Sequence, residues 1–131
     1  MTGSDVAARA LSQLGTPFRL HGRQANVALD CVGLAAHAFD VREFPNDYGL
    51  KGDLSDLHFS YLEQVGLRRI SLDAKPIGGD LAIVAPSICQ LHLMIHASDG
   101  WVHGHAGLRR VVHTPGQSPW PILALWRMKG G

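Results

Sequence analysis

Leu91-His-Leu-Met-Ile-His-Ala-Ser-Asp-Gly-Trp-Val-His-Gly-His105 is the stretch on which the reading of this sequence turns. Two β-prone runs flank Asp99-Gly100, a dipeptide that suits the positive φ angles of a two-residue hairpin turn. Side chains alternate across a strand, so His92, Met94 and His96 share one face. A turn centred on Asp99-Gly100 sets His96 opposite His103 and leaves His92 on the same face. One side of one hairpin then carries His92, His96, His103 and His105. Of the eight histidines in the chain, five lie between His92 and His113, so the clustering is local. Each imidazole alone reads as a surface or satisfied core residue, and only the set reads as a site.

Further short β runs surround the hairpin, at 81–85, 108–113 and 122–128. Gly78-Gly79, Pro115-Gly116 and the segment from Pro119 to Pro121 punctuate them. Upstream the pattern is helical. Val6, Ala7, Ala10, Leu11 and Leu14 follow one helical stripe, with Ser4 as cap and Gly15 and Pro17 as stop. Residues 16–29 lack periodicity and read as a loop. A second helix begins at about Asp30, and its run from Cys31 to Phe39 is apolar nearly all round, the mark of a buried helix. A third helix fits 54–65, with Asp53 as cap and Gly66 as stop. Helices first and strands after give an α+β domain, with N-terminal helices packed on a mostly antiparallel sheet of about five strands. A chain of 131 residues fits one such domain, spanning 1–131.

Cys31 is the second focus. A cysteine in the first turn of a helix sits beside unpaired N–H groups and the positive end of the helix dipole. Both favour the thiolate, which is the nucleophile, and the same N–H groups can receive an oxyanion. Gly33 leaves room for close approach of a substrate or a neighbouring strand. Taken alone, the segment reads as a small hydrophobe inside a helix. Beside a histidine hairpin it reads as half of a cysteine hydrolase, in which one imidazole takes the thiol proton and a second group orients it. Cys89, in a segment between strands, reads as structural or incidental.

Composition narrows the alternatives. A formal net charge of +1 and Lys and Arg present singly or in pairs leave no nucleic-acid footprint. No segment has the length of a membrane span. The first residues carry no basic start, and Asp5 and Arg9 interrupt any apolar run, so no secretory signal is expected and synthesis in the cytoplasm is. No Cys-x-x-Cys clip points to structural zinc.

Gly15-Thr-Pro-Phe-Arg19, Asp30-Cys-Val-Gly-Leu34, Gly79-Asp-Leu81, His92-Leu-Met-Ile95 and Trp101-Val-His103 resemble, in order, the motifs of NlpC-type cell-wall cysteine peptidases. The resemblance spans about residues 6 to 128 and implies a reduced papain-like fold. It also implies hydrolysis of peptidoglycan stem peptides, commonly after γ-linked D-glutamate, without a cofactor or metal. By position it makes Cys31 the nucleophile, His92 the general base and His103 the residue that orients His92. Phe18, Asp30, Val32 and His96 would form the substrate and oxyanion region. The family usually has Tyr at Phe18 and Ser at Val32, departures that bear on specificity and rate. The compact size and the closing Trp120-Pro121 and Leu125-Trp126 resemble the branch found in phage tails and gene-transfer-agent particles. That branch implies particle proteins as partners and action at the cell wall as part of a phage-like particle.

Two other readings compete. His103 and His105, with His92 or His96, could offer imidazoles to zinc in a metal-dependent hydrolase. Phe18 and Val32 would also suit a wall-binding or tail-structural module that has lost catalysis.

Overall fold

The structure is a computed structural model and describes residues 1–41, 62–87 and 90–129. Helix α1 (Gly3–Leu11) is capped by Thr2 and not by Ser4. Asp5 decides this: its N–H donates to Thr2 Oγ1 at 3.2 Å, and its carboxylate accepts from the Thr2 N–H at 2.7 Å. This is a reciprocal capping box, which a cap at Ser4 would lack. Val6 and Ala10 face inward. The segment expected as a loop contains a small antiparallel pair, β1 (Arg23–Gln24) and β2 (Ala28–Leu29). Helix α2 (Cys31–Ala38) follows, almost wholly buried as its composition requires. Residues 62–64 are helical. Residue 65 is already in a turn, and residues 54–61 of the third predicted helix, and Cys89, lie outside the described residues.

Strands β3 (Leu67–Ile70), β4 (Leu81–Ser87), β5 (Gln90–Ala97), β6 (Gly100–His105), β7 (Arg110–Pro115) and β8 (Ile122–Met128) form one antiparallel sheet. Its order is β3-β8-β4-β5-β6-β7. The sheet has six strands where about five were expected. The addition is β3, an edge strand whose central Arg68-Arg69 pair faces water while Leu67 is buried.

The two faces of the sheet are unequal. α1 and α2 pack against each other and against β5, with α2 also on β6. They bury Leu81, Ile83, Leu93, Ile95, Val102 and Trp126 in the main core. The other face carries a smaller cluster of Ala82, Val84, Met94, Trp101 and Leu125, roofed in part by Trp120 and Ile122. No helix among the described residues is long and apolar enough to cross a membrane.

Candidate active site

Asp30 fixes the start of α2. Its buried carboxylate accepts the N-cap bond from the Gly33 N–H at 2.7 Å, a second from the His21 N–H at 2.8 Å and a charged one from Arg23 at 2.9 Å. One side chain therefore ties the 19–30 segment to the turn that bears Cys31. Two glycines make the approach possible. A Cβ on Gly33 would overlap the Gly22 carbonyl oxygen. A Cβ on Gly104 of β6 would lie 3.3 Å from the Cys31 nitrogen, from Asp30 and from the Phe18 ring. Phe18, Asp30 and Cys31 are thus brought together against β6. Val32 is buried in the main core, against which Cys31 also packs.

The hairpin register differs from the expected one. His96 pairs with Trp101 and Ala97 with Gly100, so the turn residues are Ser98 and Asp99, with φ of 50° and 55°. Gly100 is a strand residue. It is glycine because a Cβ there would strike the Thr114 carbonyl and sit 2.8 Å from the His113 ring. The expected pairing of His96 with His103 is therefore overturned. The error moves each partner by two residues, an even step that preserves faces. His92 and His103 still meet: His92 Nε2 lies 3.1 Å from His103 Nδ1, with the rings edge to face at 5.1 Å. His103 Nε2 lies 3.0 Å from the Thr114 hydroxyl on β7. Trp120 packs edge-on to both imidazoles.

The sulfur of Cys31 meets β5 at backbone level. The backbone amides of Leu93, the residue after His92, and of Val32 act on it electrostatically and oppose the rise of its pKa. Alternation places His92 with Met94 on the second face of the sheet, while α2 covers the first. The two halves of the site approach across the β5 backbone, and no hydrogen bond joins Cys31 to His92. The β4–β5 ladder slips just past the Val84–His92 pair, the kind of irregularity that re-aims side chains near sites.

Electrostatics reverse one expectation. Burial, and then the Asp30 carboxylate, push the Cys31 thiol up to about 12. The residue is partly exposed and packs against the main core. A helix dipole is worth roughly 0.3–1 kcal/mol, up to about 2, whereas burial shifts an ionisable group by up to about 3–5 pKa units. Burial wins, and the resting cysteine is a thiol. Burial likewise pushes His92 down to about 3 and His103 to about 4, each also opposed by neighbouring imidazoles. The resting pair is neutral.

His96 stands apart from that pair. Its ring packs edge-on to Trp101 and lines a cleft of about 580 Å³ on the second face, with Trp120, Asp99 and Lys75 among its walls. His105, a ligand in the zinc reading, uses Nδ1 to accept the Leu108 N–H at 3.0 Å. Among the described residues no three His, Cys, Asp or Glu side chains converge as a metal cluster. Thr114 and Gly104 were missed in the sequence. Thr114 lies diagonally across β6–β7 from His103, which pairs with Val112, so only that register could have found it.

No sequence-family profile matches the chain, and no curated protein does. Solved structures do. NlpC1 from Trichomonas vaginalis superposes with a TM-score of 0.68 at 18% identity over 95% of this chain. This chain spans only 44% of that protein and 47% of its relative NlpC2. The NlpC/p60 domain of the peptidoglycan hydrolase SagA gives 0.61 at 19% identity, covering 88% of this chain and 90% of that one. The P60 domain of an antigen from M. avium subspecies paratuberculosis gives 0.62 at 21%, covering 96% and 93%. A helix-borne cysteine set against an antiparallel sheet is thus built here on the NlpC/p60 papain-like fold.

Proposed function

We propose that this chain is a cysteine peptidase that hydrolyses amide bonds in peptidoglycan stem peptides, at γ-D-glutamyl linkages. The observation that carries the reading is the His92–His103 hydrogen bond between the two strands against which the Cys31 helix packs. The naming of SagA as a peptidoglycan hydrolase supports the substrate class.

In this reading His92 engages His103 through Nε2, so Nδ1 is the nitrogen that takes the thiol proton. Hydrogen bonds in such sites tighten when substrate binds. The proton passes then, and each new charge stabilises its partner in a site that disfavours either one alone. The thiolate attacks the carbonyl carbon, and the oxyanion faces the N–H at the start of α2. His92 returns the proton to the leaving amine, and water then hydrolyses the thioester. His103 holds the ring in place. Phe18 supplies a wall without a hydroxyl, so the backbone carries the oxyanion. Carriage by a phage-like particle, with particle proteins as partners, is part of the proposal on sequence resemblance alone. Co-purification with tail particles tests it.

Purified peptidoglycan digested with the wild type, and the fragments weighed by mass spectrometry, tests the activity. New amino termini after D-glutamate are expected, and none with Cys31→Ala. Binding to peptidoglycan without any cleavage by the wild type would instead favour a non-catalytic wall module, the reading to which Phe18 points.

A further inference from the structure

We infer that Thr114 is a positioning residue of the site, which keeps the base-competent direction of the proton chain through His103 and His92 open. The inference rests on the proposed roles of Cys31 and His92. Its argument is the hydrogen-bond row His92 Nε2, His103 Nδ1, His103 Nε2, Thr114 Oγ1, with separations of 3.1 and 3.0 Å.

A row of two neutral imidazoles has two self-consistent states. In the first, Thr114 accepts from His103 Nε2–H, His103 Nδ1 accepts from His92 Nε2–H, and His92 Nδ1 carries a lone pair. In the second, every proton is reversed: His103 donates through Nδ1–H, and His92 must bear its proton on Nδ1. Only the first state can take a proton from a thiol. A neutral imidazole has one donor and one acceptor nitrogen, so fixing one ring fixes the next. An orienting carboxylate, which only accepts, fixes the base directly. A histidine in that position does not, because either of its nitrogens can hold the proton. Thr114, at the far end of the row, can accept from His103 Nε2–H or donate to a bare Nε2, so its hydroxyl keeps the base-competent state satisfied and available.

Burial adds force to the choice. His103 is fully buried, so a proton on Nε2 without an acceptor would be a buried donor without a partner, the more expensive outcome. With Thr114 present the Nε2–H form is satisfied. With valine in its place His103 turns to Nδ1–H, and His92 follows into the form that cannot act as base. Valine keeps the shape of threonine on a strand and leaves the ladder intact.

The test reads tautomers directly. Long-range proton–nitrogen correlation spectra of ¹⁵N-labelled protein at pH 7 distinguish Nδ1–H from Nε2–H rings. The wild type should show His92 and His103 both as Nε2–H. Thr114→Val should convert His103 to Nδ1–H and slow alkylation of Cys31 by iodoacetamide roughly tenfold, the order expected when one hydrogen bond is lost. Thr114→Ser should restore both signatures. His103 as Nδ1–H in the wild type, or unchanged tautomers in Thr114→Val, would overturn the inference. None of these measurements uses a substrate. A protein with the expected tautomers that cut no peptidoglycan would overturn the proposed substrate and leave the proton chain standing.

Discussion

Asp30→Asn separates the two things that one side chain does for this site. Asp30 is 1% exposed, and the substitution keeps its shape. The amide oxygen can still cap α2 through the Gly33 N–H, a task at which Asn equals Asp. Gly33 and Arg23 share one carboxylate oxygen, so the new NH2 group then faces the His21 N–H, a donor against a donor, and the contact with Arg23 loses its negative charge. Removing one partner of a fully buried pair costs roughly 3–5 kcal/mol, and an exposed pair is worth about 0–1. Arg23 is 27% exposed, so the loss should fall between them, near 2 kcal/mol. The same change removes the charge that helps to push the Cys31 thiol up. The thiol pKa then falls, and the thiolate fraction at pH 8 rises. Urea unfolding should show a lower midpoint, while iodoacetamide labels Cys31 faster. Gly33→Ala, which loosens the same turn without altering charge, controls for labelling through unfolding. Asp30→Asn labelling no faster than that control would refute the claim that the carboxylate acts on the sulfur through its charge.

Gly33→Ala should itself cost about 1–3 kcal/mol by urea unfolding, because its Cβ must displace the Gly22 carbonyl. The usual gain of about 0.5–1 kcal/mol for this change inside a helix is too small to offset that, and a net stabilisation would contradict the contact. The titrations give stability a plateau. His92 and His103 sit near 3 and 4 in the folded chain against an ordinary 6.5, so the unfolded chain binds more protons below about pH 6.5. Thermal midpoints should therefore fall from about pH 6.5 down toward the folded values, with a slope of up to about 1.4 kcal/mol per pH unit for each group. Cys31 has the opposite sign: its folded value of about 12 lies above an ordinary 9.0, so stability should also fall as pH rises past 9. A midpoint that climbs on acidification from pH 6.5 to 4 would rule out a neutral buried pair. In turnover, His96→Ala should match the wild type, followed by His103→Asn, His103→Ala and His92→Ala in falling order. A His96→Ala as damaging as His92→Ala would move the base.

The sequence announced what depends on parity and on caps. α2 was legible because Asp30 precedes an unbroken apolar run, and the hairpin because its strands alternate. The face shared by His92 and His103 survived a misplaced turn, since a slip by one pair moves partners by two residues. The turn itself was misread because glycine has two uses. At Gly100 it avoids the Thr114 carbonyl and the His113 ring instead of supplying a positive φ. β3 was hidden by Arg68-Arg69, which an edge strand can expose, and β1 and β2 are too short to show a period. The resting charge of Cys31 was misjudged because local helix position was visible and depth of burial was not. Thr114 depends on which strand lies beyond β6, a question of register that one strand's pattern cannot answer.

The row from His92 through His103 to Thr114 advances one strand at a time, from β5 to β6 to β7. Its first step, 5.1 Å between ring centroids, is close to the about 4.8 Å between neighbouring strands. The sheet's own lattice therefore spaces these groups. Sliding one strand while keeping its faces moves a side chain by two residues, about 6.8 Å, beyond any hydrogen bond. Alignment of the row is thus quantised: it is whole or it is broken, with no intermediate tuning by small shear. Its weak member is β7, the outermost strand. The segment before Phe18 clasps that strand, with the Gly15 N–H donating to the Val111 carbonyl at 2.9 Å and the Val111 N–H to the Thr16 carbonyl at 2.9 Å. The same clasp sets the Phe18 ring over Gly104, beside the start of α2. Peeling it away would leave β7, and with it the far end of the row, held by β6 alone.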